Sequence, residues 1–366
     1  MNKKVLLVLF IHLASIPEGV CQLKSGFDAK EYLNILGIFA YSGKDSVFSK
    51  GIPVPSDVKM IYESPTVGLQ NKWYLWVNET EKTAIINIRG TIPDPSSWLE
   101  NFYAAMIPAK GQIKLNPNYT FDYEFSEDPK AAVHVGWTLA TGALMETILP
   151  KLDGLMREGY DNVLITGHSQ GGAIGYLVSS YLHTLQRENR WGKKVQIKTI
   201  LSAAPKPGNL FFAYDYERIN QGGWAFNVVN PADWVPEVPF SIQTVNDFST
   251  TNPFSDVSGF IKSQKFPKNL IFKKVYNKLN KPTKKAQKNF EKYLGKYAEK
   301  EVVKQLPAFE HPGFYQSNHY VRTGNFVILY PDQEYNQTYV DAPEKLFQHH
   351  MLQPYLMLLK KQFPEL

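Results

Sequence analysis

Ser169 is the residue of this chain whose surroundings most clearly favour nucleophilic chemistry. It lies in Gly167-His168-Ser169-Gln170-Gly171-Gly172, between an apolar run typical of a strand and a run typical of a helix. A serine on a sharp strand-to-helix turn exposes its hydroxyl, and small residues on both sides let strand and helix approach closely. The motif therefore predicts a nucleophile elbow. His168 points away from the serine oxygen in such a turn and is interpreted as a packing or hydrogen-bonding side chain.

The acid and the base that would serve this serine are expected later in the chain, in the order serine, acid, histidine. Asp233 is the predicted acid, because it follows the strand-like run 226–229 in a turn stiffened by Pro231 and Pro236. Four histidines lie beyond it: His311, His319, His349 and His350. The first two fit structural positions. The last two lie in a loop before the final helix, from which an imidazole can reach the serine while a carboxylate holds its other nitrogen.

Two backbone N–H groups are expected to hold the negative charge that develops on the attacked oxygen. Gln170 supplies one as the residue after the nucleophile. The sequence Arg89-Gly90-Thr91 ends an apolar, β-branched run at 84–88, so Thr91 is the candidate for the other.

The remaining pattern predicts the elements that position these residues. Hydrophobic spacing indicates helices at 29–41, from Val133 onward, at 173–185 and at 355–362, and strands at 72–78, 82–89, 162–166, 195–202, 225–229 and 320–329. Strands that alternate with helices favour an α/β fold with a mostly parallel central sheet and helices on both faces. The segment 92–110, rich in Pro and aromatic residues, is a candidate mobile lid.

Composition and the N-terminus indicate an exported globular protein. Of the 366 residues 43% are hydrophobic, which is ample for a sizeable core. Residues 1–21 combine early lysines with a short apolar run, as a signal peptide does, which leaves 22–366 as a single domain that is secreted or periplasmic. Cys21 is the only cysteine, so no internal disulfide is expected, and neither metal nor cofactor is expected. A lipid anchor on Cys21 is an alternative that the preceding residues match poorly.

A lysine-rich stretch interrupts the strand and helix pattern and is interpreted as a helical insertion at about 248–306. From Lys262 to Lys304 there are fourteen lysines and three glutamates, a local charge of +11, whereas the whole chain carries +6. Apolar residues between the lysines favour amphipathic helices. The stretch is either a solvated accessory helix pair or a surface for anionic lipid or envelope polymer. Nucleic acid is not expected, because no recognition motif accompanies the charge.

From about Trp73 to Leu359, the insertion excluded, the chain resembles the class 3 lipase family, the fungal-lipase-like branch of the α/β hydrolases. Besides the elbow, the resemblance rests on Ile88 to Thr91 with Trp98-Leu99, Val133 to Gly136, Pro205 to Asn209, and Val228 to Asn230 with Asp233, Val235-Pro236 and Pro239.

The resemblance implies an α/β-hydrolase fold with Ser169 as nucleophile, Asp233 as acid, and oxyanion donors at Thr91 and Gln170. Similar members have a histidine five residues before a tyrosine that starts the last helix, and His350 with Tyr355 keeps this spacing. Two departures are present. Gln170 replaces the commoner leucine, and the base lacks the frequent preceding aspartate, which leaves His349 open as an alternative.

The expected activity is that of a serine carboxylic-ester hydrolase, a lipase or carboxylesterase that acts through an acyl-enzyme on lipid or other esters. One alternative is a phospholipase or another acyl hydrolase. A second is a non-catalytic envelope-binding protein that keeps a vestigial elbow.

Overall fold

The computed structural model describes residues 23–43, 46–192, 194–249, 251–252 and 257–366. The strands are β1 (Lys59–Glu63), β2 (Trp73–Asn78), β3 (Thr83–Ile88), β4 (Met106–Pro108), β5 (Lys110–Asn116), β6 (Tyr119–Glu124), β7 (Ala132–His134), β8 (Asn162–His168), β9 (Gln196–Ser202), β10 (Ala225–Val229) and β11 (Asn325–Ile328). The helices are α1 (Ala29–Gly43), α2 (Ser46–Ser49), α3 (Pro95–Phe102), α4 (Val135–Arg157), α5 (Gln170–Arg187), α6 (Leu210–Ile219), α7 (Val257–Ser263), α8 (Lys268–Glu291), α9 (Ala298–Gln305), α10 (Gln333–Thr338) and α11 (Leu352–Gln362). A π-helical turn, Lys292–Tyr297, joins α8 to α9.

The central sheet has seven strands in the order β1-β2-β3-β8-β9-β10-β11. β2 is antiparallel to both of its neighbours, β1 and β3, and every neighbouring pair from β3 to β11 is parallel. Strands β3 and β8 are buried along their whole length, as their continuous apolar runs predict for strands covered on both faces. The carboxyl ends of the parallel strands meet at one edge of the sheet, which is where ligand sites of open α/β sheets gather.

Alternate residues of the same strands enter two separate cores. Val163 and Ile165 of β8 pack with α4 and α5 on one face, whereas Leu164 packs with α1 and α11 on the other. The predicted α/β fold, a mostly parallel sheet with helices on both faces, is confirmed.

Outside the sheet lie two small two-stranded sheets and the lysine-rich segment. β5 pairs with β6, and β4 pairs with β7. The segment predicted as a helical insertion contains α7, α8, the π-helical turn and α9. Its C-terminal part rests on the body, where Phe290 and Tyr320 belong to a third apolar cluster.

Several predicted boundaries differ from the structure. Val133 lies in β7, and the helix predicted from that residue begins at Val135, because His134 is its N-cap. The strand predicted at 320–329 covers only 325–328. The predicted signal peptide at 1–21, with Cys21, lies outside the described residues. In the part of the chain that is described, no helix is both long and apolar enough to cross a bilayer.

Candidate active site

Ser169 occupies a tight turn between β8 and α5. Its backbone has φ 62° and ψ −132°, a conformation that a non-glycine residue adopts only under strain. Two glycines make the turn possible. A Cβ at Gly167 would collide with the Gly171 backbone, and a Cβ at Gly171 would collide with the carbonyl of Ile88. The turn leaves Ser169 partly exposed at the N-terminus of a helix, where negative charge is stabilised.

The Thr91 and Gln170 backbones flank this serine. A Cβ added to Gly90 would lie 3.4 Å from the Ser169 Cβ, which places the loop after β3 directly against the elbow. The Thr91 hydroxyl donates to the Gln170 side-chain oxygen at 3.2 Å, so the two predicted donors are neighbours. Among the described residues, neither of their backbone N–H groups is paired with an acceptor. Both are therefore available to an oxyanion.

Asp233 and His350, 117 positions apart in the sequence, form a buried pair. The His350 Nδ1 lies 2.7 Å from the Asp233 Oδ2, and the Tyr355 hydroxyl donates to the same oxygen at 2.8 Å. The Val235 N–H donates to the other carboxylate oxygen at 3.0 Å. Burial by itself raises the pKa of Asp233, but the charge of His350 and these hydrogen bonds outweigh burial and hold the pKa below its ordinary value. Asp233 is thus a carboxylate that orients an imidazole.

His168 connects the elbow to the loop that carries His350. Its Nε2 lies 2.9 Å from the His350 carbonyl oxygen, and its Nδ1 lies 3.0 Å from the Ser202 hydroxyl. Burial lowers the pKa of His168 to about 3, so the ring is neutral. A carbonyl can only accept, so Nε2 donates and Nδ1 accepts from Ser202, which in turn accepts from Tyr32 at 2.6 Å. This agrees with the interpretation of His168 as a hydrogen-bonding side chain.

The ring centroids of His168 and His350 lie 4.6 Å apart, which brings the imidazole of His350 beside the residue that precedes the predicted nucleophile, Ser169. Within the described chain, no hydrogen bond joins the Ser169 hydroxyl to His350. In sites without substrate, such contacts are often longer than hydrogen-bond distance and shorten when substrate binds.

The other candidate histidines contact different groups. His349 lies 2.7 Å from the Tyr335 hydroxyl and 2.9 Å from an Asp341 carboxylate oxygen, and it does not contact Asp233. His311 pairs with Glu299 at 3.4 Å and lies against Phe314 and other aromatic rings. His319 is partly buried near Asp247 and Lys206. Of the four, His350 is the histidine in contact with the predicted acid.

A buried polar network, which no local sequence pattern indicates, lies under the predicted oxyanion donors. The Gln170 side-chain amide donates to Glu100 Oε2 at 2.7 Å, and Asn71 donates to Glu100 Oε1 at 2.7 Å. Glu100 is fully buried, and burial raises its pKa well above the ordinary value. Asn101 donates to the Thr91 hydroxyl at 2.9 Å. Glu100 and Asn101 both belong to α3, so this helix is tied to both sides of the elbow.

Aromatic side chains form a partly exposed rim beside the predicted triad. Trp98 of α3 lies 6.0 Å from Phe347, which lies 5.3 Å from Trp234 and 6.1 Å from His350. The candidate lid at 92–110 contributes α3 to this rim. The last residues of the candidate lid belong instead to β4 and β5. In the described part of the chain, no group of three or more His, Cys, Asp or Glu side chains is arranged to hold a metal ion.

Similarity to known proteins supports one family. The model of the lipase (class 3) family matches residues 85–243. A secreted mono- and diacylglycerol lipase 3 of Gibberella zeae is 35% identical over 105 residues, which is 28% of this chain and 29% of that protein, so the chain aligns with less than a third of that relative.

Similar solved structures include two fungal lipases. Lipase II of Rhizopus niveus is 24% identical, with a TM-score of 0.42 over 58% of this chain and 74% of that one. The Lip2 lipase of Yarrowia lipolytica is 21% identical, with a TM-score of 0.42 over 59% of this chain and 78% of that one.

Proposed function

We propose that this chain is a serine carboxylic-ester hydrolase of the α/β-hydrolase fold and a member of the class 3 lipase family, whose model matches residues 85–243. Ser169 is the nucleophile, His350 the base, Asp233 the acid, and the Thr91 and Gln170 backbone N–H groups form the oxyanion hole. The observation that carries the proposal is the buried contact of 2.7 Å between His350 and Asp233, beside a strained serine turn.

The Asp233 contact determines which imidazole nitrogen takes part in the chemistry. A carboxylate only accepts, so His350 Nδ1 carries a proton and Nε2 is free to accept one. His350 Nε2 takes the proton of the Ser169 hydroxyl as the serine oxygen attacks the ester carbonyl carbon. Asp233 stabilises the resulting imidazolium, because the buried carboxylate stays ionised beside it.

The Thr91 and Gln170 N–H groups then donate to the oxyanion of the tetrahedral intermediate. The intermediate collapses when the bond to the alcohol oxygen breaks and His350 passes its proton to that oxygen. Water repeats the sequence on the acyl-enzyme, with His350 again as base, and releases the carboxylic acid. Removing one oxyanion donor typically lowers kcat by about 10²–10³-fold.

A fluorophosphonate probe tests the nucleophile directly. Wild type is expected to be labelled and Ser169→Ala is not. His350→Gln should lower the labelling rate strongly, whereas His349→Gln is the matched control and should label at the wild-type rate. Labelling that persists in Ser169→Ala would refute the assignment. Absence of labelling in wild type would favour the second candidate, an envelope-binding protein with a vestigial elbow.

We propose lipid esters as the substrate class, and partial glycerides are the first to test because the relative from Gibberella zeae is named a mono- and diacylglycerol lipase. The aromatic rim of Trp98, Trp234 and Phe347 supports an apolar substrate. A panel of short-chain, long-chain and partial-glyceride esters with phospholipids, and with Ser169→Ala as the control, separates a lipase from an esterase or a phospholipase.

We further propose that the protein is exported and that the stretch from Lys262 to Lys304 contacts an anionic lipid or envelope surface. The relative named as secreted supports export, and the local charge of +11 supports the contact. N-terminal sequencing of protein recovered from medium and from periplasm tests both export and cleavage near Cys21.

A further inference from the structure

Among the described residues, helix α8 packs on the central body near its C-terminus, and α7 also contacts this helix. Near its C-terminus Phe290 is 6% exposed and packs 6.5 Å from the ring of Tyr320, and Gln287 is buried. The adjoining π-helical turn accepts a hydrogen bond at Leu294 from the Ala105 N–H at 2.9 Å. The helix has 24 residues and is therefore about 36 Å long. The residues from Lys268 to Leu279 form its N-terminal half, which leads away from this contact.

One stripe of this half is apolar and exposed. Ile271, Val275 and Leu279 follow one another at spacings of four residues, which places them on one face of the helix. Their exposed fractions are 58%, 52% and 68%. Phe290 lies about three turns beyond Leu279. At 100° per residue, the two side chains therefore project from the helix axis in directions that differ by about 20°. The stripe that packs on the core at one end of α8 is thus exposed at the other end, and exposed apolar surface of this kind marks an interaction site.

A row of lysines flanks the apolar stripe. At 100° per residue, five lysines fall within an arc of about 80° beside it: Lys274, Lys278, Lys281, Lys285 and Lys288. All five are exposed. Among the described residues none of them forms an ion pair, and the helix has no acidic residue before Glu291. Their charge is therefore not neutralised within the protein.

We propose that α8 lies flat on an anionic lipid bilayer, with Ile271, Val275 and Leu279 of its N-terminal half among the acyl chains and the lysine row, which runs from Lys274 to Lys288, at the level of the phosphates. An apolar stripe beside a cationic row is the pattern of helices that lie in the membrane interface. A polyanionic polymer or a nucleic acid would engage the lysines but would leave the apolar stripe in water. Both observations together therefore favour lipid.

This inference narrows the peripheral contact proposed above and has a consequence for the proposed hydrolase. The C-terminal end of α8 is joined through Leu294 to Ala105, three residues after α3. Adsorption of α8 would hold the candidate active site near a surface that contains lipid esters, which raises their effective concentration.

Sedimentation of the full chain with vesicles tests the proposal. Wild type should bind vesicles of phosphatidylcholine mixed with phosphatidylglycerol and should bind pure phosphatidylcholine far more weakly. Each lysine near an anionic surface contributes about five-fold to binding, so the combined replacement Lys274→Gln, Lys278→Gln, Lys281→Gln and Lys285→Gln should weaken binding by several-hundred-fold, on the order of 600-fold. Equal binding of wild type to the two vesicle types would overturn the proposal.

The apolar stripe is tested separately. The combined replacement Ile271→Ser, Val275→Ser and Leu279→Ser keeps every charge, and it should weaken vesicle binding by at least about ten-fold per residue while leaving binding to heparin, a soluble polyanion, unchanged. Vesicle binding equal to wild type in this variant would show a purely electrostatic surface and would overturn the proposal. The substituted residues are exposed, so thermal unfolding should not change.

A matched charge control removes four exposed lysines elsewhere: Lys24→Gln, Lys30→Gln, Lys50→Gln and Lys345→Gln. This variant should bind anionic vesicles within a few-fold of wild type, and a loss as large as that of the α8 variant would overturn the proposal. All variants should hydrolyse a soluble short-chain ester at the wild-type rate. The ester assay reports failure of the hydrolase proposal, and the vesicle assay reports failure of the membrane proposal. Because the ester is soluble, its hydrolysis does not depend on vesicle binding, so the two failures are distinguishable.

Discussion

The buried hydrogen bond between Gln170 and Glu100 allows a stability prediction to be worked from the structure. Gln170 is 3% exposed and Glu100 is fully buried, and their side chains meet at 2.7 Å. The resemblance to class 3 lipases makes leucine the commoner residue at position 170. Gln170→Leu, Glu100→Leu and the double variant form a double-mutant cycle for this bond.

The magnitude follows from the polar groups that each variant leaves unpaired. Gln170→Leu removes the donor to a fully buried carboxyl oxygen, which should lower the free energy of unfolding by about 1–3 kcal/mol. Glu100→Leu removes the acceptor of both Asn71 and Gln170, and among the described contacts the side-chain N–H group of Gln170 keeps only the bond of 3.3 Å to the Ser97 carbonyl. Glu100→Leu should therefore lower the free energy of unfolding by about 2–4 kcal/mol. In the double variant both sides of the Gln170–Glu100 contact are apolar. Its loss in the free energy of unfolding should therefore be smaller than the sum of the two single losses by about 1–3 kcal/mol.

Urea unfolding of the four proteins, followed by fluorescence and by circular dichroism, measures this coupling energy. Coincidence of the two probes checks that the transition is two-state. Single losses that add to within about 0.5 kcal/mol of the double loss would refute the reasoning. Glu100→Gln is the matched control. It keeps the shape and one accepting oxygen, but a donating N–H group replaces the other oxygen, which accepts a hydrogen bond in wild type. Its free energy of unfolding should therefore lie between those of wild type and Glu100→Leu.

Three further predictions concern charge and catalysis. Asp233→Asn should lower kcat on a soluble ester by about 10⁴-fold, because His350 loses its orienting carboxylate. A kcat within ten-fold of wild type would contradict the triad. The pKa of Glu100 is raised in the folded state, so above the ordinary carboxyl pKa the folded protein binds more protons than the unfolded chain. The free energy of unfolding should therefore fall as pH rises in this range, by up to about 1.4 kcal/mol per pH unit. Urea midpoints measured across pH should show this slope in wild type and not in Glu100→Gln. The pKa of His168 is lowered to about 3, so below about pH 6.5 the unfolded chain binds a proton that the folded protein does not. The free energy of unfolding should therefore fall as pH drops below about 6.5, and it should fall less steeply in His168→Gln.

Local sequence patterns were sufficient to predict those helices and strands whose hydrophobic pattern and end signals lie within about twenty consecutive residues. The strand predicted at 162–166 and the helix predicted at 173–185 are both present, although the strand continues to His168 and the helix covers Gln170–Arg187. The strand at 225–229 was predicted with its boundaries. Short strands without a strong apolar run were missed, such as β4 and β7. Residues 320–324 were assigned to a strand that they do not join, because β11 pairs with β10 only from Asn325 onward.

The sequence by itself determined the elbow, since its small residues answer a steric demand within one turn of chain, and it narrowed the candidate acid and base to Asp233 and two adjacent histidines. Only the tertiary structure decided that His350 contacts Asp233 while His349 contacts Tyr335 and Asp341. Neighbouring side chains on a turn point in different directions, and which direction meets a partner 117 residues away depends on how the loop packs. Glu100 was missed for the same reason. Its burial under the elbow arises when α3 packs against α4 and α9, and this packing has no local signature in the chain.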